Sequence, residues 1–148
     1  MNIVKHSNDS NLQPLPKKRL HFKYELGSMV LASLIGTFLD LYMVGKGYYQ
    51  FPFRPFPEIF SINIGFTLIV LPFMTLIVLR TIDHLTNGGK AGVILLVSLL
   101  MPIFEKLAEM LGWFSHSEDW KHLYTFFGFL LFLTIISAFH EWMRKRIG

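Results

Sequence analysis

The sequence contains no cysteine, and only 16% of its 148 residues are charged. Without cysteine, the chain cannot form a disulfide, a Cys-ligated metal centre or a thiol nucleophile. Soluble domains average about 25% charged residues, so this chain has few charges with which to cover a soluble surface. Instead, 52% of the residues are hydrophobic and phenylalanine alone occurs 15 times. This composition excludes disorder for most of the length.

Four long apolar segments account for this excess: residues 26–48, 59–79, 91–113 and 123–142. Because a helix rises about 1.5 Å per residue, 20–23 residues reach roughly 30–35 Å, which matches the hydrocarbon core of a bilayer. The segments do not alternate apolar and polar residues as transmembrane strands do. They also lack the polar outer face that a soluble bundle needs. We therefore predict an all-α integral membrane bundle of four transmembrane helices, formed by residues 25–148 and surrounded by the lipid bilayer.

Residues 1–24 have a different composition, with Pro14, Pro16 and a basic run at 17–19. We predict that they form a basic, flexible N-terminal tail. The apolar segment that follows is too long for the hydrophobic region of a cleavable signal peptide. We therefore expect it to remain as a membrane span.

The positive charges predict how the chain is threaded, because cytoplasmic loops carry the excess of Lys and Arg. In a four-span arrangement, ten basic residues flank one side: Lys5, Lys17, Lys18, Arg19, Lys23, Arg80, Lys90, Arg144, Lys145 and Arg146. Three flank the other side: Lys46, Arg54 and Lys121. We predict that both termini are cytoplasmic. Because the basic residues sit beside apolar runs, the net charge of +4 indicates membrane orientation and no nucleic-acid partner.

Polar side chains lie at a similar depth in three of the segments. Asp40 and Glu105 each lie eight residues before the outer end of their segment, about 12 Å along a helix. Small residues share the helix face of Asp40, and such residues let helices approach closely. We predict an intramembrane polar pocket formed by Asp40, Lys46, Asn63, Glu105, Lys106 and Glu109. It is either a water-accessible site for a cation, a proton or a headgroup, or a structural network that holds the helices together.

The loops on the two sides carry further charged residues. Three prolines restrict the outer loop at 49–58 to extended or turn geometry, and its charged residues are Arg54 and Glu58. This loop is either a stiff interfacial hairpin, in which Arg54 can meet lipid phosphate, or a lid over Asp40. At the opposite membrane surface, we predict an inner-rim charge network of Arg80, Asp83, His84, His140 and Glu141.

Residues that could bind a metal crowd the second outer loop: His116, Glu118, Asp119 and His122. Imidazole and carboxylate suit divalent metals, but no rigid ligand spacing is present, so we predict no metal and no cofactor. The pair His140-Glu141 lacks the second histidine of a zinc-protease helix, and no nucleophile motif is found. We therefore predict that the protein is not an enzyme.

Three runs resemble a known group of proteins: Gly36-Thr37-Phe38-Leu39-Asp40-Leu41-Tyr42, Val44-Gly45-Lys46-Gly47, and Phe51-Pro52-Phe53-Arg54-Pro55-Phe56-Pro57-Glu58-Ile59-Phe60-Ser61-Ile62-Asn63. Through them the chain resembles an uncharacterised family of small multi-pass membrane proteins of spore-forming Gram-positive bacteria. The resemblance implies the bacterial cytoplasmic membrane and several transmembrane helices. It implies no activity.

Two functional hypotheses follow. The first is a non-enzymatic interaction or accessory protein, whose partner is a second copy of the chain or another membrane protein. The alternative is a small proton- or cation-coupled transporter or channel element that uses the carboxylate pocket. Four short spans can enclose a pocket, but we expect a transport path to require a dimer, so the oligomeric state separates the two.

Overall fold

A computed structural model describes residues 17–147, with side chains from residue 21 onward. Most of this part of the chain is helical and only four of its residues are in strands, which confirms the all-α prediction. Its helices are α1 (Lys17–Gly45), a π-helical turn (Phe66–Val70) that runs into α2 (Leu71–Ile82), α3 (Asn87–Met110) and α4 (His122–Ile147). Two short strands, β1 (Tyr49–Gln50) and β2 (Ser115–His116), lie in the loops after α1 and α3.

Within residues 17–147, three helices are long and apolar enough to cross a membrane: His21–Gly45 within α1, Asn87–Met110 and His122–Ile147. The second apolar segment forms a shorter helix, Phe66–Ile82, instead of the predicted helix over 59–79. Residues 59–63 belong to the outer loop, because Arg54 binds the carbonyl oxygen of Phe60 at 2.7 Å and turns the chain back on itself. At the helix rise, 17 residues reach about 25 Å.

The ends of the other helices also differ from the apolar runs. α1 begins at Lys17, within the segment that we predicted as a tail, and residues 1–16 lie outside the described residues. The helix continues here because Tyr24 and Glu25 are buried against the other helices. Similarly, α4 extends to Ile147, five residues past the predicted span. A hydrophobic run marks the apolar part of a helix, whereas backbone hydrogen bonds continue beyond it.

The helices pack around one apolar core. α1 packs against α2 and α4, whereas α3 packs chiefly against α4. The most deeply buried side chains of this core are Ala32, Leu79, Leu133 and Ile136. The opposite helix faces expose large apolar side chains, such as Phe38 at 68%. Exposed apolar faces of this extent are expected where lipid tails surround a bundle.

The predicted small-residue face of α1 packs against the second helix. A Cβ atom added to Gly36 would overlap the side chain of Leu71, so glycine permits this close approach. A π-helical turn comes immediately before α2, where Pro72 has no N–H to donate to the helix. Here the N–H of Leu71 donates to the carbonyl of Phe66, five residues back.

Candidate functional site

Polar side chains form two clusters, one at each end of the bundle. The outer cluster lies beside the two short strands and consists of Asp40, Tyr49, Glu105, Lys106, Glu109, His116, Trp120, His122 and Thr125. The inner cluster lies at the opposite end and consists of Glu25, Ser28, Arg80, Asp83, His140 and Arg144.

The outer cluster exists because the two outer loops pair with each other. β1 and β2 are antiparallel, and they place Tyr49 opposite His116. The N–H of Ser117 donates to the carbonyl of Tyr48 at 2.9 Å, which extends the pairing. The pairing therefore joins the loop between α1 and the second helix to the loop between α3 and α4. Strands of only two residues are too short to produce a periodic pattern, so the sequence does not predict β1 and β2.

Asp40 meets the outer loop through Tyr49. The Tyr49 hydroxyl donates a hydrogen bond to Asp40 Oδ1 at 2.6 Å. Burial raises the pKa of the Tyr49 phenol far above its usual value, and the Asp40 carboxylate raises it further. The phenol is therefore a permanent donor at physiological pH.

Two aromatic rings connect Asp40 with Glu105. The Tyr49 ring packs edge-on against Trp120, with ring centroids 5.1 Å apart. The indole N–H of Trp120 then donates to Glu105 Oε1 at 3.1 Å. The predicted association of Asp40 with Glu105 is thus an indirect one, through the side chains of both outer loops.

Glu105 binds side chains that follow it by 15 to 20 residues. In addition to Trp120, His122 Nδ1 lies 2.7 Å from Glu105 Oε1, and the Thr125 hydroxyl donates to Oε2. The Glu105 side chain is only 11% exposed. It therefore ties α3 to the start of α4.

Glu109, one turn after Glu105, faces two histidines and a lysine. Its Oε1 lies 2.9 Å from His116 Nε2, and its Oε2 lies 3.7 Å from His122 Nε2. Lys106 donates to Oε2 at 3.0 Å. The nearest ligand atoms of Glu109, His116 and His122 all lie within 4.8 Å of one another, so these three residues could hold a metal ion.

The other predicted pocket and loop residues lie apart from this cluster. Asn63 Oδ1 accepts from the N–H of Phe66 at 3.1 Å, which caps the second helix. Lys46 lies 5.9 Å from the centroid of the Tyr42 ring, in a cation–π contact. Glu118 and Asp119 are exposed. The residues predicted to form one pocket therefore do not all meet, because Asn63 and Lys46 make separate local contacts.

Arg54 holds the proline-containing loop together from within. Its guanidinium donates to the carbonyl oxygens of Phe51, Phe60 and Pro57, at 2.7, 2.7 and 3.3 Å. These bonds favour the stiff-hairpin interpretation, because they occupy donors that a lipid phosphate would need. Glu58 is exposed at the surface of the same loop.

Three of the five predicted inner-rim residues belong to the inner cluster, with partners that the sequence did not predict. Asp83 accepts from Arg144 at 3.0 Å and lies 3.1 Å from His140 Nε2. Arg80 forms a bidentate pair with the buried Glu25, at 2.9 and 3.0 Å. The remaining two predicted members lie outside this cluster: His84 is exposed, and Glu141 pairs with Lys145.

His140 joins the inner cluster to α1. Its Nδ1 lies 3.1 Å from the hydroxyl of Ser28, and its ring packs edge-on against Tyr24. Because Ser28 lies in the first half of α1 and His140 in the second half of α4, the start of α1 and the end of α4 lie toward the same end of the bundle. Ser28 is a serine at helical spacing from Tyr24 and Ala32 on a buried face, which is the signal that could have identified it.

No protein-family model matches the chain, and no curated protein or solved structure shows significant similarity to it. The resemblance to membrane proteins of spore-forming bacteria therefore stays a prediction. The function has to be inferred from the geometry of the two clusters.

Proposed function

We propose that the chain is a multi-pass protein of the bacterial cytoplasmic membrane that acts without catalysis, through contacts with a second copy or another membrane protein. It crosses the membrane four times and has both termini in the cytoplasm. Three apolar helices support membrane insertion. The contact between Ser28 and His140 supports termini on one side, and the ten-to-three distribution of basic residues supports the cytoplasm as that side.

The shorter second helix is compatible with a fourth crossing. Its 17 residues are at the lower limit of the roughly 17–25 residues that span a bilayer. The helix packs along α1, and its outer end continues into the aromatic and proline-rich loop. This loop extends the apolar path beyond the helix itself.

One observation carries the proposal of a structural role: the carboxylates in the helices bind side chains of the same chain. Glu105 has three such partners, Glu25 has Arg80, and Asp83 has His140 and Arg144. A carrier must exchange the partners of its carboxylates for an ion or for water during each cycle. Carboxylates held by several fixed donors are better suited to joining helices than to releasing ions.

The threading is tested with single cysteines, because the natural chain contains none. Asn11→Cys, Gln50→Cys and Asn87→Cys are expressed separately and treated in intact cells with a membrane-impermeant thiol reagent. Four crossings with cytoplasmic termini predict labelling at position 50 alone. Equal labelling at positions 50 and 87 would mean that the second segment does not cross, and labelling at position 11 would invert the orientation.

The structural role is tested with Glu105→Gln, and Glu58→Gln serves as the control because it neutralises an exposed carboxylate of the outer loop. We expect Glu105→Gln to lower the melting temperature of the purified protein, because Glu105 loses its charge while His122 and Thr125 still face it. Glu58→Gln should leave the melting temperature unchanged. A Glu105→Gln variant with unchanged stability and abolished pH-driven ion flux in vesicles would refute the structural role.

One observation favours the transporter as a second candidate. Asp40 Oδ2 and Thr37 Oγ1 are buried, with no hydrogen-bond partner among the described residues. They lie one turn apart on the face of α1 that packs against other helices. A proton or cation passing along this face would supply the missing partner. Asp40→Asn should then abolish ion flux in vesicles while the protein keeps its normal stability. If the natural chain shows no flux, or if Asp40→Asn shows the same flux as the natural chain, this candidate is excluded.

A further inference from the structure

Glu109, His116 and His122 converge from three separate elements at the outer end of the bundle. Glu109 lies in the last turn of α3, His116 in β2, and His122 is the first residue of α4. All three side chains are partly exposed, between 22% and 34%. An ion from solution can therefore reach them without any rearrangement of the helices.

The spacing of the three ligands suits a small metal ion. Around tetrahedral zinc, bonds of about 2.0–2.1 Å place neighbouring ligand atoms roughly 3.3 Å apart. The two histidine nitrogens lie 2.9 and 3.7 Å from the oxygens of Glu109, on either side of that value. All three ligand atoms lie within 4.8 Å of one another. The widest of these separations would have to close by up to about 1.5 Å for all three atoms to bind one zinc ion.

The hydrogen bonds on the far sides of both rings fix which nitrogen faces Glu109. His116 Nδ1 lies 2.8 Å from the backbone carbonyl oxygen of Ser117, and His122 Nδ1 lies 2.7 Å from a carboxylate oxygen of Glu105. Both oxygens can only accept, so each Nδ1 carries a hydrogen. In the neutral ring, Nε2 then presents its lone pair toward Glu109. Histidines that bind metals are held in this manner by carbonyl or carboxylate partners.

A lone pair that faces a carboxylate oxygen at 2.9 Å is favourable when one cation binds both atoms. The rings of His116 and His122 are close enough to share such a cation, because their centroids lie 5.1 Å apart. One divalent ion satisfies both rings and Glu109 together. The two carboxylates of Glu105 and Glu109 outnumber the single charge of Lys106, so these fixed charges favour a cation.

We propose that Glu109, His116 and His122 bind one divalent transition-metal ion, with Glu105 and the Ser117 carbonyl orienting the two imidazoles. Two histidines and one glutamate form a known ligand set for zinc, and three protein ligands leave a fourth position for water or another ligand. The site joins α3, β2 and α4. Metal binding would therefore fasten the second outer loop to the ends of both helices.

The experiment uses the full-length chain, purified in detergent after removal of any affinity tag, and Zn²⁺ alone as the probe. Isothermal titration should show one saturable site per chain. His116→Ala and His122→Ala should each weaken Zn²⁺ binding at least about 100-fold, and Glu105→Gln about 10- to 100-fold, as is typical for loss of an orienting partner. The matched controls His84→Ala and Glu118→Gln, both exposed outside the site, should bind as the natural chain does.

Lys106→Met keeps the test informative if a histidine variant fails to fold. The exposed Lys106 competes for Glu109 Oε2, so its removal should strengthen Zn²⁺ binding about two- to fivefold, the equivalent of a surface ion pair. Misfolding cannot produce such a gain. The absence of saturable Zn²⁺ binding by the natural chain would overturn the proposal. Binding of equal strength in His116→Ala, His122→Ala and the controls would overturn it as well.

Discussion

The hydroxyl of Ser33 in α1 donates a hydrogen bond to the carbonyl oxygen of Thr67 at 2.7 Å. In the π-helical turn, the donor for this carbonyl would be the residue five positions later, which is Pro72 and has no N–H. The Leu71 N–H is already directed to Phe66. Ser33 thus supplies the hydrogen that proline lacks, and the freed carbonyl stays satisfied where water is scarce.

Ser33→Ala should therefore destabilise the protein by about 1–3 kcal/mol, the usual cost of a buried acceptor left without a donor. Adding Pro72→Ala should recover part of the loss, because alanine restores a backbone N–H. Reversible unfolding in mixed micelles would measure both. Thr134→Ala is the control, since this exposed hydroxyl bonds only to its own helix. Equal effects of Ser33→Ala and Thr134→Ala would contradict the assignment.

The bond between Tyr49 and Asp40 predicts a pH dependence. Tyr49→Phe keeps the ring but removes the donor, so it should be less stable than the natural chain at neutral pH. Because the folded state raises the pKa of Tyr49, this stabilisation is complete below the unfolded value near pH 10 and is lost as the pH rises above it.

Melting temperatures of both proteins between pH 7 and pH 11 would check this expectation. The difference between them should narrow above about pH 10. Tyr48→Phe, at the exposed neighbouring tyrosine, should match the natural chain throughout. If the difference in melting temperature stays constant from pH 7 to pH 11, folding does not raise the pKa of the Tyr49 phenol.

The ion pair of Glu25 and Arg80 predicts that a second substitution restores stability lost through the first. Arg80→Met should lower the melting temperature, because it leaves the carboxylate of Glu25, only 5% exposed, without its partner. Glu25→Gln combined with Arg80→Met should recover part of the loss, since both charges leave together. Lys145→Met, in an exposed pair with Glu141, is the control and should have little effect. Failure of the double variant to recover would indicate that Arg80 acts through other contacts.

Close packing of α1 on the second helix predicts a contrast between two glycines. Gly36→Ala should destabilise the bundle by about 1–3 kcal/mol, the usual cost of overpacking, because its Cβ would collide with the buried Leu71. Gly128→Ala meets nothing within 4 Å and should be neutral, or stabilising through its better helix propensity. Similar unfolding free energies for the two variants would disprove the close approach.

Several features were predictable because they depend on local composition. Lengths of apolar runs predicted four spans, and three of these correspond to helices long and apolar enough to cross a membrane. The depth of Asp40 and Glu105 placed both toward the same end of their helices. The small-residue face around Gly36 correctly indicated a helix contact. The inner network was found in part, because Arg80, Asp83 and His140 all lie where apolar runs end.

Other features were not predictable from single segments. The second helix begins at Phe66 instead of 59, because Arg54 binds carbonyl groups up to six residues away and holds the preceding residues in the loop. Lys106 pairs with Glu109 and not with Glu105, since only the spatial position of each side chain decides between neighbouring carboxylates.

The sequence by itself determined that the chain is helical and has helices long and apolar enough to cross a membrane, because compatibility with lipid depends on hydrophobicity and length, and these add up along a segment. Only the tertiary structure decided which polar groups meet. The antiparallel pairing of β1 with β2 places Tyr49 between Asp40 and Trp120, and the loop and start of α4 that follow α3 bring His116 and His122 beside Glu109. Such contacts depend on the relative rotation of helices and the crossing of distant loops, which no local pattern of residues encodes.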